Sequence, residues 1–184
     1  MSSNLGTKYK CRCWQTEKTM SETTETQKVD HEALLREIST MSTQFDVLRF
    51  LKRTTELYRA RAFIVFRAPG PTTNALQSVS VITSWPSELL ARYDAEGMIQ
   101  FSATAEHIRT SSLPMTFEVS ELNKKLDEPR RRKVMELFEQ FGLLRGATFP
   151  VCDPSGERGG IGFSGDREPF TSYEMLQLHM VCTY

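Results

Sequence analysis

The chain has 184 residues, enough for one domain that buries roughly 70% of the surface its unfolded form exposes. Lysine plus arginine and aspartate plus glutamate number 23 each, so no net field draws the protein onto nucleic acid or an anionic membrane. No apolar run approaches the roughly 20 residues of a spanning helix, and four cysteines fall in no disulfide-like spacing, which predicts a soluble cytoplasmic protein without membrane contact.

Residues 1–28 are rich in Ser, Thr, Lys and Glu and offer almost nothing to bury, so they are expected to form a disordered tail ahead of one domain over 29–184. Met20 begins a second plausible start. Cys11-Arg-Cys13 lacks the two further ligands that a tetrahedral metal site needs, and free thiols are expected there. From Asp30, a capping residue, Leu34, Ile38, Met41, Phe45, Leu48, Leu51, Thr55 and Tyr58 recur at three and four residues and mark one helical face. Ser39-Thr40 and Ser42-Thr43 divide it, and Thr43 with Asp46 forms a capping pair. Two helices totalling about 28 residues follow from this pattern.

Arg61–Phe66 and Gln77–Ile82 read as strands separated by the breaker Ala68-Pro69-Gly70-Pro71. Pro86 suits the first turn of a helix that carries Leu89, Leu90 and Tyr93 and ends at Gly97. A short helix over Thr104–Arg109 stops before Leu113-Pro114. Pro129 opens another, with Val134, Leu137, Phe138 and Phe141 inward and Gly142 just beyond. Arg130, Arg131, Arg132 and Lys133 oppose that helix's dipole, so they serve solubility or an anionic partner rather than helix stability.

Ala147–Cys152 and Gly160–Ser164 flank Asp153-Pro154-Ser155-Gly156, a type I turn, and form a hairpin. Thr171 with Glu174 makes a capping box, and Phe170 with Met175 a hydrophobic staple, for a last helix with no stop signal before Tyr184. That pattern suggests a chain cut in mid-helix.

Gly160-Ile161-Gly162-Phe163-Ser164-Gly165 satisfies the six-residue glycine pattern of dinucleotide sites but lies inside a hairpin strand instead of a strand-to-helix turn, so no nucleotide is expected. Glycine within a strand marks close approach by another backbone, a bulge or a ligand. His31, His107 and His179 have no metal-ligand partner at short spacing, and neither Cys152 nor Cys182 has a readable base. An enzyme is not expected, nor any metal or other cofactor.

The order of these features over about 140 residues, Phe45–Tyr184, resembles the autoinducer-binding domain of LuxR-type transcription regulators. Trp85-Pro86 opens a helix as that family's aromatic-Pro pair does, Tyr93 matches its Tyr, and Phe141-Gly142 with Gly146-Ala147-Thr148-Phe149-Pro150 is similar to its Phe-Gly and Gly-x-Thr-x-Pro segment. The resemblance implies an α+β fold of PAS/GAF-like type: an α/β/α sandwich around an antiparallel sheet of about five strands. It also implies an acyl-homoserine lactone between the sheet and one helical layer, a homodimer or a heterodimer with a related regulator, and a helix-turn-helix domain after Tyr184 that contacts DNA.

Carried over by position, the ligand-binding residues are Trp85, Leu89, Tyr93, Ser102, Phe117, Thr148 and Gly162. The family's lactone-binding Trp falls on Leu89, and the Asp that accepts the ligand amide proton falls on Ser102, with Ala103 in place of Pro. Phe117 replaces a second aromatic, Tyr93 and Thr148 keep their hydroxyls, and Gly162 lies where several members carry Ser or Thr. Losing one neutral and one charge-assisted hydrogen bond removes about 2 to 4 kcal/mol, a loss on the order of 30-fold to 1,000-fold for the usual lactones. The expected function is therefore the regulatory domain of an orphan quorum-sensing-type transcription factor with a diverged pocket. The alternatives are a receptor for a different small apolar molecule and a stand-alone PAS/GAF-like interaction domain.

Overall fold

The computed structural model describes residues 30–124 and 126–184. The expected N-terminal tail, with Cys11, Cys13 and Met20, lies outside the described residues. Five strands form one antiparallel sheet: β1 (Ala62–Arg67), β2 (Ser80–Thr83), β3 (Met115–Glu118), β4 (Arg145–Cys152) and β5 (Arg158–Gly165), in the spatial order β2-β1-β5-β4-β3. Helices cover both faces, giving the α/β/α sandwich of the α+β class.

On one face lie α1 (His31–Ile38), α2 (Gln44–Leu57) and α7 (Ser172–Thr183). Asp30 caps α1 by accepting from the Ala33 amide (3.0 Å), and Thr43 with Asp46 closes the capping box of α2. The two helices have 8 and 14 residues, shorter together than the periodicity suggests, because the Ser and Thr residues between them bond back to helix carbonyls or to Asp46. Phe45 is not part of the buried face: it is 62% exposed, with the Arg49 guanidinium above its ring. Thr171 and Glu174 start α7 with the expected capping box, and Arg167 clamps the Glu174 carboxylate with two bonds of 2.8 and 2.9 Å. Phe63, Phe149 and Phe163 from the sheet pack with Phe50, Leu51 and Leu178 into a dry core.

The other face carries α3 (Ser87–Ala95), a 3-10 turn (Met98–Phe101), α4 (Ala103–Thr110), α5 (Val119–Leu122) and α6 (Glu128–Phe141). Pro86 sits at the start of α3, and Gly97 (φ +60°) and Gly142 (φ +65°) take left-handed conformations just after α3 and α6. The Asp94 carboxylate accepts from the amides of Leu76 and Gln77, tying the β1–β2 loop to α3. A turn over residues 77–79, closed by the Val79 and Ser80 amides donating to the Leu76 carbonyl, delays the strand, so β2 is shorter than the apolar alternation predicts. Strand β3 and helix α5 have too few residues to generate a readable period and were not expected at these positions.

Candidate functional site

A cavity lies between the sheet and the α3–α6 layer, and central strand β5 explains why. With side chains alternating across a strand, Ile161 and Phe163 join the dry core while Gly160, Gly162 and Ser164 face the other layer. Strand register arranges that face in rows. One row runs Ala62, Ser164, Gly146, Phe117; the next runs Thr83, Ile64, Gly162, Thr148, Met115. The floor of the central strand is therefore almost bare.

Neighbours cover two of the bare positions and leave the third open. A β-carbon at Gly146 would lie 2.4 Å from Cζ of Phe117, whose ring spans it, and one at Gly160 would lie 2.2 Å from Cδ1 of Ile108 on α4. At Gly162 the nearest atoms are Cγ2 of Ile64 (3.3 Å) and Oγ1 of Thr148 (3.5 Å). Above it remains a cavity of about 100 Å³, several times the ~10–15 Å³ that one water needs.

The helical wall is aromatic. Trp85, Tyr93 and Phe138 meet edge to face, with ring centroids 6.2, 5.6 and 6.1 Å apart, a favoured arrangement of ring quadrupoles. Chain direction brings Trp85 there: beyond β2, Ser84 N–H donates to the Phe63 carbonyl (3.0 Å) and Ser84 Oγ accepts from Phe63 N–H (2.9 Å), so Trp85 comes level with Ala62. Leu89 is fully buried and lies outside the cavity lining. It stands one helical turn before Tyr93 on α3, while Trp85 precedes the helix and its ring meets that of Tyr93.

Burial pushes the Tyr93 phenol up to about 12, with the Ser102 side chain partly offsetting that rise. The closest bonds of Ser102 are structural: its hydroxyl caps α4 through the Ala105 amide (3.2 Å) and pairs with Thr104 (2.9 Å). Thr148 is 2% exposed on the floor beside Gly162. The cavity thus gathers Trp85, Tyr93, Ser102, Phe117, Thr148 and Gly162. Sequence reasoning missed Val134 and Phe138 of α6 as lining residues, and Ser164; period-two alternation from Gly162 points to the last.

Among the described residues, the charged side chains that line the cavity stand at its rim. Lys133 reaches Glu96 (2.8 Å), joining α6 to α3, and the Arg130 guanidinium lies 4.6 Å from the ring centre of Phe101. The basic run on α6 meets local acids, Arg130 with Asp127 and Arg131 and Arg132 with Glu128, and all four side chains are substantially exposed. His31 bonds Tyr58 and Gln177, His107 bonds the Leu113 carbonyl, and His179 stacks on Phe149. Among the described residues, no three His, Cys, Asp or Glu side chains are grouped as metal ligands would be. Burial pushes the Cys182 thiol up, away from nucleophilic thiolate.

An apolar cavity between an antiparallel sheet and a helical layer, with hydroxyls on its floor and charges at its rim, defines a small-molecule sensor domain. Residues 43–184 match the autoinducer binding domain family, and the chain belongs to that family, the ligand-binding domain of LuxR-type regulators. It is 22% identical over 150 residues to the transcriptional activator protein LuxR of Aliivibrio fischeri, covering 81% of this chain and 58% of that protein's length. Among solved structures it is similar to the N-acylhomoserine lactone dependent factor CepR2 of Burkholderia cenocepacia (TM-score 0.60, 14% identity, 83% of this chain and 86% of that one). It is also similar to SdiA in complex with octanoyl-rac-glycerol (TM-score 0.63, 20% identity, 82% and 60%) and to a further crystal structure of Escherichia coli SdiA (TM-score 0.60, 20% identity, 82% and 61%). Domains of this family regulate and do not catalyse. No helix among the described residues is long and apolar enough to cross a membrane.

Proposed function

We propose that this chain is the sensor domain of a cytoplasmic LuxR-type transcription factor whose cavity takes a neutral apolar molecule in preference to an acyl-homoserine lactone. The observation that carries this reading is that Leu89 is fully buried outside the cavity lining and Ser102 lines it with a hydroxyl that caps α4, at the two positions where the family resemblance puts the polar lactone contacts. Removing a buried carboxylate also removes its desolvation cost, which favours a less polar guest. The SdiA complex with octanoyl-rac-glycerol, an uncharged acyl ester, supports such a guest in this fold. Trp85, Tyr93, Phe117, Thr148 and Gly162 are the proposed contacts, with Leu89 and Ser102 acting from the wall.

The reading includes a dimer and a DNA-binding helix-turn-helix supplied by a further domain. Helix α7 supports the dimer, because it is apolar on both sides: Leu178 and Val181 face the core while Tyr173, Leu176, Met180 and Tyr184 are 68%, 60%, 40% and 70% exposed. This stripe equally favours a second reading, a dimerisation module that needs no ligand. Calorimetry against a panel of acyl-homoserine lactones is expected to show no tight binding, and a nanomolar response overturns the diverged-pocket reading. Light scattering separates the two readings: a dimer without ligand favours the module, and a monomer that dimerises on adding the acylglycerol favours the receptor.

A further inference from the structure

Among the described residues, two buried polar atoms on the cavity wall have no hydrogen-bond partner: Oγ of Ser164 and Nε1 of Trp85. Ser164 is 3% exposed, so its hydroxyl is withdrawn from the outer surface of the protein. Native structures seldom leave such groups unpaired, and an unexplained case points to strain, an ion or a missing partner. The row geometry favours a partner entering from the cavity. Ser164 stands between Ala62 and Gly146, which offer a methyl group and no side chain. The Phe117 ring covers Gly146 on one side, and Trp85 comes level with Ala62 on the other. An unpaired hydroxyl thus sits in a slot with an aromatic wall at each end.

The donor and acceptor inventory narrows the guest. Indole Nε1 only donates, and a serine hydroxyl donates freely while rotating to suit. Both are served by a group rich in lone pairs. Among the described residues, the charged side chains along the cavity are Glu96, Arg130 and Lys133 at its rim, so an ionised head group in this slot would be desolvated without compensation from them. We propose that Ser164 is a specificity-determining residue which, with Trp85 Nε1, donates to the carbonyl-bearing head group of a neutral acyl ligand such as an ester or ketone. This rests on the receptor reading above and moves its polar recognition from the helical wall to the sheet floor.

The test titrates the whole chain, as wild type, Ser164→Ala and Trp85→Phe, with 1-octanoyl-rac-glycerol and with the matched octyl glyceryl ether, which lacks the carbonyl. Wild type is expected to bind the ester about 10-fold more tightly than the ether, a ratio typical of one buried hydrogen bond. Ser164→Ala is expected to erase that preference and leave ether binding unchanged. Its ligand-free melting temperature should equal or exceed that of the wild type, because the substitution removes an unpaired hydroxyl. A serine with a structural role would instead lower it. In the wild type, the indole N–H resonance that Trp85→Phe deletes should move with the ester and not with the ether. Equal ester binding by wild type and Ser164→Ala, or an indole resonance indifferent to the carbonyl, overturns this assignment and leaves the receptor reading intact. No binding of either probe by the wild type overturns both.

Discussion

The two faces of the sheet share the same five strands and solve opposite packing problems. On the α1, α2 and α7 side, Phe63, Phe149 and Phe163 have no exposure and fill the space between layers. On the α3–α6 side the same central strands present Gly146, Gly160, Gly162 and Ser164, and the helices cannot close on so thin a floor. One face stores stability and the other stores space. The difference teaches that the cavity is built by what is missing from β5, while its walls are ordinary aromatic core.

Substitutions on each face test that contrast. The largest effect is expected from Phe163→Ala, which should cost about 3–5 kcal/mol in denaturant unfolding because a fully buried ring leaves a void. A loss under 1 kcal/mol would mean that the packed face yields as readily as the open one. Gly146→Ala should come next, at about 1–3 kcal/mol, since its methyl would lie 2.4 Å from both the Phe117 ring and the Phe163 carbonyl oxygen. Gly162→Ala, which places the same methyl against Ile64 at 3.3 Å and Thr148 at 3.5 Å, should change stability by less than ~1 kcal/mol while weakening acylglycerol binding. Equal costs at the two glycines would deny that one is covered and the other open.

The smallest effect concerns acid. Burial alone would raise the Glu174 carboxyl, but the Thr171 amide, the Arg167 guanidinium and the Thr171 hydroxyl outweigh it and hold the group below its ordinary value. A lowered carboxylate contributes stability above its unfolded pKa, about 4.3, and loses it as pH falls through the folded value. The gap in melting temperature between wild type and Glu174→Gln should therefore be widest near neutrality and shrink below about pH 4. A constant gap would show that the ion pair does not anchor α7.

Much of this was readable in advance because it is local. Asp30, Thr43 with Asp46, and Thr171 with Glu174 each bond within three residues, and each starts the helix it was expected to start. Gly97 and Gly142 end helices for the backbone reason that glycine reaches positive φ. Six of the seven positions carried over from the family line one cavity, since their order along the chain follows the fold. Leu89 is the exception. Its place on α3 was legible, but the cavity wall is set by the meeting of Trp85 and Tyr93 with Phe138 of α6, about fifty residues later, and Leu89 lies outside that lining.

What the sequence determined by itself was most of the elements, the capped helix starts and the alternation of faces along the strands, because caps, turns and alternation act over one to four residues; β3, α5, the start of β2 and the exposure of Phe45 lay beyond that reach. Only the tertiary structure decided which of those faces is covered. Gly146 and Gly160 look no different from Gly162 along the chain, yet Phe117 and Ile108 cross over the first two, while the nearest atoms to the third, among the described residues, belong to its strand neighbours Ile64 and Thr148. Ser164 likewise becomes a cavity residue only when strand register sets it between Ala62 and Gly146. Covering is a contact between residues remote in sequence, and periodicity carries no information about it.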